Sequence, residues 1–212
     1  MKKLLVLVLL LSLFGWSAGV ERKSRKIHSE GDMYYQHLAL SGSFGLGIPL
    51  GDFSDSKLGN AEAGGVAGLG AEYYFTESFS SGLNFSSGIF EDDDDPNFTS
   101  WVNNYQLFWR FSAPLEGRVR PYAKFGLGFS TITYEEDFSV LGRLVSTSDA
   151  GFSLALAGGA IWRVSRLVGI SAGVGYDVAF LEDTEVEDSG AVVGYDPNYF
   201  SINFGVSFFF RP

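Results

Sequence analysis

From Tyr199 to Phe210 the chain places Phe200, Ile202, Phe204, Val206, Phe208 and Phe210 at every second position, with Ser201, Asn203, Gly205, Ser207 and Phe209 between them. A period of two predicts a strand with one oily face and one mostly small, polar face. Seven earlier segments carry the same alternation. Strands are predicted over about 36–48 (Leu38, Leu40, Phe44, Leu46, Ile48 on one face), 62–75 (Ala67, Leu69, Ala71, Tyr73, Phe75), 79–90 (Phe79, Leu83, Phe85, Ile89) and 99–112 (Trp101, Tyr105, Leu107, Trp109, Phe111). Four more follow, over about 121–134 (Ala123, Phe125, Leu127, Phe129), 151–164 (Phe152, Leu154, Leu156, Trp162), 168–180 (Ile170, Val174, Tyr176, Val178, Phe180) and the final segment. Each is as long as the roughly 9–11 residues that a tilted strand needs to cross hydrocarbon.

The links between these segments differ in length. Thr76-Glu77-Ser78, Ser165-Arg166-Leu167 and the Pro- and Gly-marked stretch 113–120 read as short turns. The stretches 49–61, 91–98, 135–150 and 181–198 read as longer, mostly acidic loops. Short turns on one end and long loops on the other predict an eight-stranded, antiparallel, up-and-down transmembrane barrel, lipid outside and polar lumen inside, with the loops outward. Aromatic residues fall at two levels of the oily face. Tyr73, Phe75, Trp109, Phe111, Trp162, Phe208 and Phe210 lie toward the short turns, and Trp101, Phe152, Phe180 and Phe200 toward the loops. Two levels are expected of girdles at the two membrane interfaces.

Composition narrows the reading. Mean hydropathy is only +0.11, and no internal apolar run approaches the roughly 20 residues of a spanning helix. The exception is Leu4–Phe14, preceded by Lys2 and Lys3 and followed by Ser17-Ala18-Gly19. That order is expected of an export signal over 1–19. A polar leader over 20–34 and a barrel over 35–212 complete the expected organisation. The chain has no cysteine, which excludes disulfides, lipid attachment through an N-terminal Cys and thiolate metal sites. A formal net charge of −10 argues against nucleic acid as a partner. The competing fold is a soluble barrel enclosing a ligand, with the apolar residues facing inward.

With Gly-rich alternating strands, Glu72-Tyr73-Tyr74-Phe75-Thr76-Glu77 running into a short turn, and an aromatic last strand, the chain resembles the small outer-membrane barrel superfamily that includes the OmpA transmembrane domain and OmpX. The resemblance covers about 35–210. It implies a place in a bacterial outer membrane, contact with its lipid and lipopolysaccharide, and a last strand read by the barrel-insertion machinery.

By parity, Glu72, Arg110, Lys124, Arg163 and Asp177 face the lumen. An eight-stranded barrel is just wide enough for side chains to fill, and charges inside it are expected to pair. Glu72 with Arg110 or Lys124 is the expected plug. The alternative is a gated small pore, favoured by small inward residues such as Gly126, Gly128, Ala155 and Gly159. The acidic clusters at 91–95, at 135–137 and across 182–188 hold 13 of the 25 carboxylates. Such oxygens suit divalent cations, although a solvated, self-repelling loop has the same composition. The only histidines are His28, in the leader, and His37, at the start of the first strand. Neither has an evident Ser and acid partner, so no enzyme, catalytic residue or cofactor is expected. The expected role is structural or surface-interactive.

Overall fold

The computed structural model describes residues 38–55, 60–93, 95, 97–113, 118–138, 142–147, 150–181, 184–185, 192–193 and 196–210, with backbone alone for 136–138, 142–144, 184–185 and 192–193. The expected export signal and leader, His28, His37, and several loop carboxylates (Asp94, Glu182, Asp183, Glu187, Asp188) lie outside the described residues.

Eight long strands form: β1 (Leu38–Leu50), β2 (Gly64–Tyr74), β3 (Phe79–Glu91), β4 (Phe98–Ser112), β5 (Val119–Phe138), β7 (Gly151–Arg163), β8 (Val168–Phe180) and β11 (Asn198–Phe210). Three short ones join them: β6 (Gly142–Thr147), β9 (Thr184–Glu185) and β10 (Val192–Val193). Each long strand pairs antiparallel with its neighbours, and β1 pairs with β11, so the sheet closes. Closure leaves no unpaired edge to face lipid.

Following cross-strand partners from Leu38 through Tyr73, Ser81, Trp109, Phe125, Leu156, Tyr176 and Phe200 returns to β1 at Ile48, a stagger of ten residues. With a rise of about 3.3 Å per residue and strands about 4.8 Å apart, that stagger tilts the strands by about 40°. The 13-residue strand β1 then climbs about 33 Å, enough to cross an apolar band about 25 Å tall.

The burial pattern is inverted relative to a soluble protein. Phe44 and Leu69 are 67% and 66% exposed, while Glu72, Ser80, Asn104, Gln106, Arg110 and Ser130 are buried. A soluble barrel would do the reverse, so the apolar exterior settles the choice in favour of the membrane.

Predicted strand bounds agree with the observed ones within about two residues, except in the fifth. There β5 runs on to Phe138, and its outer part pairs with β6 from Thr133↔Thr147 to Phe138↔Gly142. The expected long loop 135–150 is therefore largely a hairpin. Its residues, Glu135-Glu136-Asp137-Phe138 and Gly142 to Thr147, carry no regular apolar alternation, so a period of two gave no sign of it. The link 92–97 is also no longer than the turn 113–118, so the length asymmetry rests on the other connections.

Two four-residue turns share one device. In 75–78, the Phe75 and Thr76 N–H groups donate to the Phe79 carbonyl at 3.0 and 3.1 Å. Thr76 Oγ1 accepts from the Ser78 and Phe79 N–H groups at 3.2 and 3.0 Å. Ser165 does the same for Leu167 and Val168, at 3.2 and 3.0 Å. A hydroxyl at this position satisfies the orphan donors of a tight reversal.

Candidate functional site

The lumen is filled in layers. Near the short-turn end the Glu72 carboxylate is the hub. Arg110 Nη1 donates to its Oε2 at 2.8 Å, Tyr74 Oη donates to the same oxygen at 3.2 Å, and Ser80 Oγ donates to Oε1. Register explains the meeting: Ser80 pairs with both Tyr74 on β2 and Arg110 on β4. Glu72, Tyr74 and Arg110 therefore gather around one short hydroxyl. The Arg110 guanidinium also lies 4.8 Å from the Tyr122 ring centroid and 5.7 Å from that of Phe108.

Lys124 sits opposite Arg110 in the β4–β5 register. It does not reach Glu72. Its Nζ donates to Asn84 Oδ1 at 3.3 Å and lies 4.2 Å from the Phe108 ring centroid. Asp177 accepts from Gln106 Nε2 at 3.2 Å. Arg163 lies over Phe209, its guanidinium 3.2 Å from that ring centroid, and Phe209 in turn lies 6.1 Å from the Tyr74 ring. Of the five inward charges read from the sequence, only Glu72 and Arg110 form an ion pair with each other.

Two apolar layers were not foreseen. Toward the loops, Phe53, Ala61, Val66, Phe90, Val102, Ile132 and Tyr199 form one buried cluster. Phe53 comes from a 3-10 turn (Gly51–Phe53) after β1 and is 0% exposed. Its ring meets Phe90 edge-on at 5.0 Å, and Phe90 meets Tyr199 at 5.4 Å. Gly51 has φ +63, a left-handed backbone that favours glycine and lets the turn aim Phe53 back over the lumen. The Ala61 N–H then donates to the Phe53 carbonyl at 3.0 Å and ties the returning chain down. Toward the turns, Ala39, Tyr74, Ile161 and Phe209 form the second layer, with Tyr122 against it.

Small inward residues admit these rings as well as leaving space. A Cβ on Gly47 would lie 2.9 Å from Phe90, and one on Gly88 2.6 Å from it. A Cβ on Gly173 would lie 2.7 Å from Tyr122 Oη. Parity carried a signal for Val66, Phe90, Val102, Ile132 and Tyr199, all large residues on an otherwise small face near the outer strand ends. For Phe53, outside any alternation, it carried none.

Between the layers lies a cavity of about 120 Å³, lined by Ser41, Asn84, Lys124, Asp177, Tyr199 and Asn203 among others. Asn104 Nδ2 donates to Tyr199 Oη at 2.8 Å and so fixes a ring that borders the cavity.

On the outside, the aromatic residues read as girdles point away from the lumen. Tyr73, Phe75, Phe111, Phe152, Trp162, Phe180, Phe208 and Phe210 are exposed, and Trp101, Trp109 and Phe200 are half-buried among neighbours. Near the turns, rings run in a row: Tyr73 to Phe75 at 5.2 Å, Phe75 to Phe79 at 5.5 Å, Phe79 to Phe111 at 5.1 Å. Toward the loops, Phe152 stacks on Phe180 at 6.3 Å.

At the loop rim, Asn60 Nδ2 donates to Asp92 Oδ1 at 3.0 Å. Hydrogen bonding and charge from Asp93 raise the Glu62 carboxyl above its ordinary range. Among the described residues, no cluster of His, Cys, Asp and Glu has the geometry of a metal site.

A closed barrel with an oily exterior and a polar, filled interior defines an integral outer-membrane β-barrel protein. The chain belongs to the family described as "Outer membrane protein beta-barrel domain", which matches residues 9–208. Among solved structures it is similar to Neisserial surface protein A, with TM-score 0.60 and 14% identity over 82% of this chain and 97% of that one. It is also similar to outer membrane protein OprG from Pseudomonas aeruginosa (TM-score 0.49, 13% identity, 85% of this chain and 99% of that one). Ail, the attachment invasion locus protein of Yersinia pestis, follows with TM-score 0.49 and 12% identity over 82% and 99%. At these identities the first likeness speaks for the fold alone. No curated protein sequence matches the chain. The family and the fold place the protein in the bacterial outer membrane.

Proposed function

We propose that this protein is a closed surface scaffold, related to the OmpA-like small barrels, that anchors outward loops for membrane integrity, adhesion or recognition. The observation that carries this reading is the layered lumen: Phe53, Phe90 and Tyr199 at the loop end, and the Arg110–Glu72 pair at 2.8 Å nearer the turns. An ion pair in a dry interior is weak evidence for stability, but it fills the cross-section and leaves no continuous polar path. In this reading residues 1–19 export the chain, 20–34 lead into the barrel, and the alternation of β11 addresses the insertion machinery. The aromatic rows sit at the two lipid interfaces, and the acidic loops meet lipopolysaccharide through bridging divalent cations.

The cavity between the two layers supports a second reading, a small channel that opens when the outer layer parts. Single-channel recording of the refolded barrel in a planar bilayer separates the two. Silence from a verified folded barrel is the expected result, and steady ion-selective openings would overturn the scaffold reading in favour of the channel.

A further inference from the structure

Three charged groups line the cavity: Arg110, already paired with Glu72, and Lys124 and Asp177, two opposite charges that do not meet. Lys124 projects from β5 and Asp177 from β8, and both line the same chamber of about 120 Å³. Among the described residues they form no ion pair with each other or with any third group. That separation is unusual. Opposite charges withdrawn from water attract strongly, and a lysine stem is long and flexible enough to close a gap.

Here each charge is tethered elsewhere. Lys124 is held by Asn84 Oδ1 at 3.3 Å and by the Phe108 face at 4.2 Å. Asp177 is held by the Gln106 amide at 3.2 Å. The strand between them, β7, contributes Ala155, Leu156 and Ala157 to the chamber wall, with the Leu156 side chain on the exposed outer face, and β8 contributes Ser171 and Gly175 beside Asp177. Small residues keep the gap open. Beyond these tethers neither group has another hydrogen bond among the described residues, and both border the chamber. Ser41, Ser43, Asn203 and Ser201 supply further polar groups on the opposite wall.

We propose that this chamber is a binding site for a small zwitterion. Its carboxylate would meet Lys124 Nζ and its ammonium Asp177. Such a solute completes both charge pairs at once, which neither an anion nor a cation does. The chamber is several times larger than the roughly 10–15 Å³ that one water needs on the same measure, so a small solute such as glycine has room between the two charges. Val66 and Tyr199 belong both to the chamber wall and to the outer apolar layer. The layer carrying Phe53 is therefore the lid over the site. This inference does not depend on a role for the loops, nor on whether the barrel conducts.

The test is saturation-transfer NMR from the refolded barrel to free glycine, with glycolate and methylammonium as single-charge probes. Phe53→Ala serves to speed access. Glycine is expected to receive saturation at least tenfold more efficiently than either single-charge probe. The transfer is expected to fall to background in Lys124→Met and in the near-isosteric Asp177→Asn, each verified as folded by its gel shift on heating. Absence of transfer to glycine in both the natural barrel and Phe53→Ala overturns the proposal. So does equal transfer to all three probes, a comparison that needs no lumen variant to fold. Glycine transfer that survives Asp177→Asn also overturns it, since binding would then lie elsewhere.

Discussion

Replacing Arg110 with Met removes the partner of a buried carboxylate and keeps the volume of the stem. Glu72 is 3% exposed and would keep only the hydroxyls of Tyr74 and Ser80. Breaking a buried pair from one side costs about 3–5 kcal/mol, because the remaining charge stays in a poor solvent. Loss of the guanidinium over Tyr122 adds about 1 kcal/mol. Removing both charges, in Glu72→Leu with Arg110→Met, relieves the penalty, and such swaps are often near neutral. The double variant is therefore expected to be more stable than Arg110→Met alone, by about 2–4 kcal/mol. The assay is equilibrium urea unfolding in short-chain phosphatidylcholine vesicles. It is followed by the emission of Trp101, Trp109 and Trp162 and checked by the gel shift of the folded barrel. A loss under about 1 kcal/mol in Arg110→Met would refute the reasoning, as would a double variant that loses the sum of both single costs.

Three further outcomes follow from the same geometry. Arg110→Ala with Lys124→Ala removes two charged side chains from one level of the lumen, but the outer apolar layer stands above that level. Openings in planar bilayers are expected only when Phe53→Ala is added, and openings without it would show that the Phe53 layer does not seal. The Glu62 carboxyl is raised, by Asp93 first. Because its folded state binds the proton more tightly, its contribution is present below the ordinary range near 4.5 and lost as pH rises through the raised value. Carbon-detected NMR titration is expected to find Glu62 above the usual range and to return it there in Asp93→Asn. If the aromatic rows mark the interfaces, single-tryptophan variants retaining Trp101, Trp109 or Trp162 are each quenched more by lipid brominated near the headgroup than near the chain ends. Deeper quenching by the chain-end label would remove that residue from the girdle.

The alternation of side chains determined most of this barrel, because a strand has only two faces and a one-residue slip would turn Phe204 inward and Asn203 into lipid. The eight long strands and the inward direction of Glu72, Arg110, Lys124, Arg163 and Asp177 were all legible from that period of two. Parity says which face a side chain takes but not its height or its neighbour around the circumference. Those depend on the ten-residue stagger. The stagger sets Arg110 beside Ser80 and opposite Lys124, and leaves Glu72 to Arg110 rather than to Lys124. The extension of β5 past the membrane was hidden because its residues carry no regular apolar alternation. Phe53 was hidden as well. A single aromatic residue in an irregular link has no periodicity, and only the closed sheet, with Gly47 and Gly88 cleared for Phe90, gives it a place to bury. Lipid therefore wrote its demand along every strand, one residue in two. The filling of the lumen arises where distant strands converge, and it became readable only once the sheet had closed.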